Sequence, residues 1–317
     1  MNHLTIAAGD ADAAADEVRP DAPRKPSGTL WRRIWRNWAV RIGAAVLGAM
    51  LCVAIATPWL GTVDPMLFDT ASRDLLPGAT GEIVSETGDT VAHRFWMGSD
   101  ALGRDIYSRV LYGTRISLAV GSACALLALS FGLLAGLGAG YFRWLEMPVM
   151  RVMDGIMAVP GVLVAIALVS LWSGSLTTVI IAVAIPEIPR VTRLVRSLML
   201  SLREEPYVEA AISLGTGSLR IIVRHLLPNT VAPLIVQGTY ICASAMLTEA
   251  ALSFLGVGLP AEMPTWGNIM AEGRSQFQQY PHNVLFAGFF LAATVLAVNM
   301  LGDGLRDTLD PKMVKQP

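Results

Sequence analysis

Charge is what this chain has least of. Asp, Glu, Lys and Arg make up 15% of its 317 residues, where a soluble domain of this length carries about 25%. The deficit excludes an ordinary water-facing surface over much of the molecule, and mean hydropathy is +0.52. Net charge is −1, so no basic field marks a nucleic-acid partner. Cysteine is equally sparse. Cys52, Cys124 and Cys242 stand far apart in apolar runs, which excludes a disulfide framework or a CxxC metal site and leaves buried free thiols. His3, His93, His225 and His282 are scattered too, so no zinc cluster or other metal site is expected. The chain has no Gly-x-x-x-x-Gly-Lys-Ser/Thr phosphate cradle and no Ser/His/Asp, HExxH or paired-carboxylate constellation. No catalytic residue is assigned.

What the chain does have is long apolar runs. A hydrocarbon core of about 30 Å requires about 20 apolar helical residues. Six stretches qualify as spans: 42–60, 116–141, 155–172, 176–188 (short, with two prolines and a glutamate), 231–257 and 283–301. The expected fold is therefore an all-α integral membrane protein with six transmembrane helices. Basic residues orient it. Eighteen of the 24 fall in the N-terminal tail, the second-to-third and fourth-to-fifth connections and the C-terminus. The other six are Arg274 and, in the loop 61–115, Arg73, Arg94, Arg104, Arg109 and Arg115. Both termini are thus expected in the cytoplasm and 61–115 in the periplasm.

The first 28 residues, rich in Ala, Asp and Pro, read as a disordered cytoplasmic tail. Residues 29–41 read as an interfacial amphipathic helix, with Trp31, Ile34, Trp35 and Trp38 on one face and Arg32, Arg33 and Arg36 off it. Residues 116–311 would form the core and 312–317 a C-terminal tail. Gly132, Gly136 and Gly140 recur at spacings of four, which suits either close packing within one bundle or a subunit or hinge interface. Asp154 and Glu187 lie near cytoplasmic ends, where pairing with Arg151 or Arg190 accounts for them. Glu249 lies deeper and faces the interior, serving either a hydrogen bond between helices or contact with solute. Asp105 and Arg109 are four apart and suit a local ion pair or a periplasmic docking surface.

The most informative segment is the cytoplasmic connection 203–228. Pro206 suits a first helical turn, Glu205 and Glu209 favour its positive end, and Gly215 supplies a left-handed stop. Ser218 can cap a second short helix running to Pro228. Val208, Ala211 and Ile212 are available for burial, either in a partner's groove or against the membrane.

The order Glu209-Ala210-Ala211, then Gly215, then His225 and Leu227-Pro228 resembles the EAA loop of binding-protein-dependent ABC importer permeases. Histidine at 225, where the family often has a branched aliphatic residue, resembles the dipeptide, oligopeptide and nickel branch. The segment 97–121, the run Leu252-Ser253-Phe254-Leu255-Gly256-Val257-Gly258, Pro264-Thr265-Trp266-Gly267 and the ending 302–311 agree with it. The short N-terminal helix is similar to the C-type subunit of that branch. The resemblance implies a type I importer permease fold with a cytoplasmic coupling helix. It implies as partners a homologous second permease, one or two ABC ATPases holding ATP and Mg2+, a periplasmic solute-binding protein and the lipid bilayer. No cofactor would be bound by this chain. A transporter driven by an ion gradient would need repeated broken helices, which the sequence lacks, and a membrane scaffold would lack the loop.

Overall fold

A computed structural model describes residues 30–309 except 85–89 and 173. The expected tail 1–28 and the ending 310–317, including Pro311, lie outside these residues. The helices are α1 (Leu30–Ile34), α2 (Trp38–Ala56), α3 (Ile106–Tyr141), α4 (Arg143–Met157), α5 (Gly161–Leu171), α6 (Leu176–Ala184) and α7 (Ile188–Arg203). They continue as α8 (Pro206–Ser213), α9 (Ser218–Ile221), α10 (Leu227–Phe254), α11 (Trp266–Gly273) and α12 (His282–Leu309). Between α2 and α3 the strands β1 (Ala79–Val84) and β2 (Thr90–Phe95) form an antiparallel hairpin pairing Ala79 with Phe95 and Val84 with Thr90.

Four helical runs are long and apolar enough to cross a membrane: Trp38–Trp59, Ile106–Tyr141, Ser218–Phe254 and His282–Leu309. A fifth is formed if α4 and α5, bent by 85°, count as one broken span. The expected span 155–172 is therefore not one straight helix. Pro160 has no N–H to donate, and its ring drives the preceding residue out of the helical region. The chain turns at Ala158–Pro160, leaving α5 with 11 residues. The expected span 176–188 is likewise only the front of a longer run, in which a 3-10 turn at Ile185–Glu187 joins α6 to α7.

Other boundaries move outward. α3 begins ten residues before the expected 116 because Asp105 caps it, accepting from the Ser108 N–H at 2.9 Å. The expected interfacial helix 29–41 stops at Ile34, and Asn37 starts α2 by accepting from the Ala39 N–H at 2.9 Å. Trp38 consequently belongs to the span rather than to the face expected for Trp31, Ile34 and Trp35. Of the three cysteines, Cys124 is buried and Cys242 half-buried, whereas Cys52 is exposed on α2.

The core is built along α3, which packs lengthwise on α7 and against α10. A Cβ on Gly132, Gly136 or Gly140 would come within 2.6 Å of Val191, Val195 or Met199 side chains. The glycine series is thus a packing seam between α3 and α7 of the same chain. α2 and α10 pack against α12, and α11 bridges α10 and α12.

Candidate functional site: the loop 203–228 and the polar groups around it

The segment between α7 and α10 is a helix, a tight turn and a second short helix. Glu205 is extended (φ −73°, ψ 136°) and Pro206 opens α8, where the missing proline N–H costs nothing. The helix closes through Gly215 at φ +74°. The Thr216 N–H donates to the Ala211 carbonyl at 3.1 Å and the Gly215 N–H to that of Ile212 at 2.9 Å. Both are the bonds of a Schellman stop. Ser218 does not cap the next helix through its side chain, and Gly217 holds that position.

Nor does the second helix end at Pro228. α9 runs through a π-turn at Ile222–Leu226 straight into α10, making one helix from Ser218 to Phe254. Pro228 accounts for the π-turn, since it cannot donate to the carbonyl four residues back and its ring would crowd that group. The Leu227 N–H reaches five residues back to the Ile222 carbonyl. Leu227-Pro228 thereby widens one turn where the loop joins the span.

Val208 and Ala211 are already buried, packed with Val191, Val195, Met199, Ile221 and Leu226. They anchor α8 to its own chain, which corrects the expectation that they are free for a partner. What remains outside is Glu209, Ala210, Ile212, Leu214 and Leu219, the two leucines being 86% and 75% exposed. His225 is half-buried behind α8, its ring 6.2 Å from that of Tyr207. Asn229 donates to the Tyr207 hydroxyl (3.3 Å) and the His225 carbonyl (2.7 Å). His225 thus stands beside Tyr207 at the first turn of α8.

Glu249 is 1% exposed and accepts from Ser253 Oγ at 2.9 Å and Thr265 Oγ1 at 3.0 Å. The bond from Thr265 ties α10 to the start of α11. Glu187 pairs with Arg190 at 3.1 Å, as expected, and Asp154 with Arg193 at 2.7 Å rather than with Arg151.

At the opposite end of the molecule Asp105 and Arg109 do not pair. Asp105 is occupied with Ser108 and lies 3.8 Å from His93. Arg109 turns to Glu272 at 3.1 Å and Asp100 at 3.8 Å, while Arg104 binds Asp100 at 2.7 Å and Glu272 at 2.5 Å. Burial raises the carboxyls of Asp105 and Glu272 above their ordinary values, in Glu272 against the opposing pull of Arg109 and Arg104. Arg109 is 1% exposed and Asp105 3%: Arg109 joins α3 to α11 through Glu272, and Asp105 caps α3 beside His93 of β2. The i,i+4 spacing of Asp100 and Arg104 is a sequence signal for part of this network. Glu272, 168 residues from Arg104, leaves none.

Residues 128–315 match the family described as "Binding-protein-dependent transport system inner membrane component". The chain belongs to that family: it is the inner-membrane component of a binding-protein-dependent transporter, and not its ATPase. It is 46% identical to a probable peptide ABC transporter permease protein of Sinorhizobium fredii, over 92% of this chain and 95% of the relative. It is 41% identical to a dipeptide transport system permease protein of Alkalihalophilus pseudofirmus, over 89% of each. A glutathione transport system permease protein of Pectobacterium atrosepticum is 39% identical over 93% of this chain and 94% of its own length. Among solved structures, a chain from the inward-facing MetNI methionine ABC transporter matches in fold at TM-score 0.53. It is 16% identical, and the match covers 65% of this chain and 98% of that one.

Proposed function

We propose that this chain is one of two homologous permease subunits of a peptide-type ABC importer, working between a periplasmic binding protein and one or two cytoplasmic ATPases. Six spans with both termini in the cytoplasm, α5 and α6–α7 completing the set, agree with the distribution of basic residues. The loop 203–228 is the coupling element. Residues Glu209, Ala210, Ala211, Gly215, His225, Leu227 and Pro228 form or brace it, and ATP and Mg2+ are held by the partners. Closure of the ATPases would push α8, and the continuous helix Ser218–Phe254 would carry that displacement into the span as a rigid body.

The observation that carries this reading is an exposed Leu214–Leu219 knuckle at the turn between α8 and α9, whose Val208, Ala211 and Ile221 are packed into the core. An apolar projection with a rigid base is suited to a partner's groove. The peptide-type solute rests on the three relatives. The test is gentle solubilisation from the native membrane, affinity capture of this chain and mass spectrometry. A second permease and an ATPase bearing the phosphate-cradle motif are expected, and Leu214→Asp should lose the ATPase while retaining the permease. Recovery of the folded chain alone would refute the proposal.

A further inference from the structure

α10 carries a row of polar residues at helical spacing: Gln237, Tyr240, Ser244 and Thr248. The neighbouring row, Gly238, Ile241, Ala245, Glu249 and Leu252, is buried in the bundle. The polar row is only half-buried and lines two cavities, of about 760 and 350 Å³, that share Tyr240. The larger extends toward Asn229 and Arg306, and the smaller is also lined by Val162 of α5 and Asn299 of α12. Two of these groups are engaged within the chain, Tyr240 with Asp303 and Ser244 with Glu187. Gln237, Thr248 and Asn299 make no side-chain hydrogen bond among the described residues.

In hydrocarbon that arrangement is unfavourable. An unpartnered amide or hydroxyl at membrane depth is costly relative to water, and polar groups in spans accordingly face a bundle interior or a water-filled space. Threonine could fall back on a carbonyl of its own helix, as Thr239 does with Val236, but Thr248 does not. The apolar groups exposed elsewhere on the same helices, Ile235 on α10 and Leu296 on α12, need no such partner.

We infer that the face of α10 from Gln237 to Thr248, with Asn299 opposite, is this subunit's wall of a water-filled solute path. Its chemistry suits a solute rich in amide and hydroxyl groups. The unengaged side chains, two amides and one hydroxyl, each both donate and accept. A bare metal cation would instead require several imidazole, thiolate or carboxylate ligands, and no group of three such residues that could hold a metal ion occurs among the described residues. The groove is open along one side, which the second permease would close. This inference rests on the importer reading above and assigns the path to particular residues.

The test uses the assembled transporter in inverted and right-side-out membrane vesicles. Gln237→Cys, Thr248→Cys and Asn299→Cys are compared with Ile235→Cys and Leu296→Cys for reaction with a charged methanethiosulfonate, against the parent's own thiols. At least tenfold faster modification of the first three is expected, with modification at 248 blocking ATP-dependent uptake of a labelled dipeptide. Rates no faster than at 235 and 296 would overturn the inference. So would fast modification that leaves uptake unchanged, since the face would then be wet but off the path. ATP-dependent uptake by the unmodified parent checks the importer reading separately. If the parent fails that check, the importer reading falls whatever the labelling shows.

Discussion

Gly215 concentrates the coupling argument in one residue. Its φ of +74° is the left-handed conformation, and a Cβ placed there would meet nothing within 4 Å. Any side chain therefore fits in space and is opposed by backbone geometry alone, at about 1–2 kcal/mol for an L-residue and most severely for a β-branched one. Gly215→Val should leave the bundle folded, because its core lies elsewhere, while tilting the knuckle formed by Leu214 and Leu219. Uptake is expected to fall several-fold with ATPase activity retained or raised, which is the signature of uncoupling. Gly215→Asn, which tolerates positive φ, should keep most of the uptake. Equal uptake by the two variants would show that the turn's geometry is not what transmits the stroke.

At the scale of elements, the start of α3 and the helix α11 are held together by four charges, Asp100, Arg104, Arg109 and Glu272. Arg109 and Arg115 sit inside a membrane-length helix, yet a search for uncharged runs stops at residue 116. Asp100 and Glu272 neutralise the buried Arg109, and Arg115 remains exposed. Similar reasons govern what else was legible. The 203–228 turn chemistry was readable because Pro206 and Gly215 act locally, as were most of the spans. The π-turn, the 85° break and the partners of Glu249 depend on a proline's effect on its neighbours or on residues such as Thr265, sixteen positions on.

Arg109→Met tests the network. Removing one partner of a buried pair costs about 3–5 kcal/mol, and about 3 is expected here because Glu272 keeps a quarter of its side chain exposed. Burial already holds the Glu272 carboxyl above its ordinary value, and losing Arg109 removes the foremost group that lowers it. A carboxyl whose folded value is raised binds its proton more tightly in the folded state. Its stabilisation is therefore greatest in acid and is lost as pH rises from the ordinary carboxylate range through the raised folded value. The Arg109→Met defect should consequently be largest at neutral pH and shrink as pH falls toward that range. Thermal unfolding of the detergent-purified complex at pH 7.5 and 5 measures it, and an equal defect at both would reject the charge account.

For the whole molecule, sidedness makes every other assignment meaningful. The hairpin and the Arg109 network cluster at the start of α3, and the coupling knuckle lies beyond the far end of α3, where Gly140 packs on Met199. α3 has 36 residues, or about 54 Å at 1.5 Å per residue, more than the hydrocarbon core alone requires. These two ends must therefore emerge on opposite faces. On the importer reading proposed above, the knuckle side is the cytoplasmic one, in keeping with Arg143, Arg151, Arg190, Arg193, Arg196, Arg203, Arg220 and Arg224 in the connections. Met66 and Leu214, both exposed, report the two ends. In intact cells a membrane-impermeant maleimide should modify Met66→Cys and spare Leu214→Cys until the membrane is permeabilised, with the parent protein as the blank. Reversal would invert the protein, putting the knuckle outside, where no ATPase could reach it. Labelling of both in intact cells would mean that α3 does not separate two compartments.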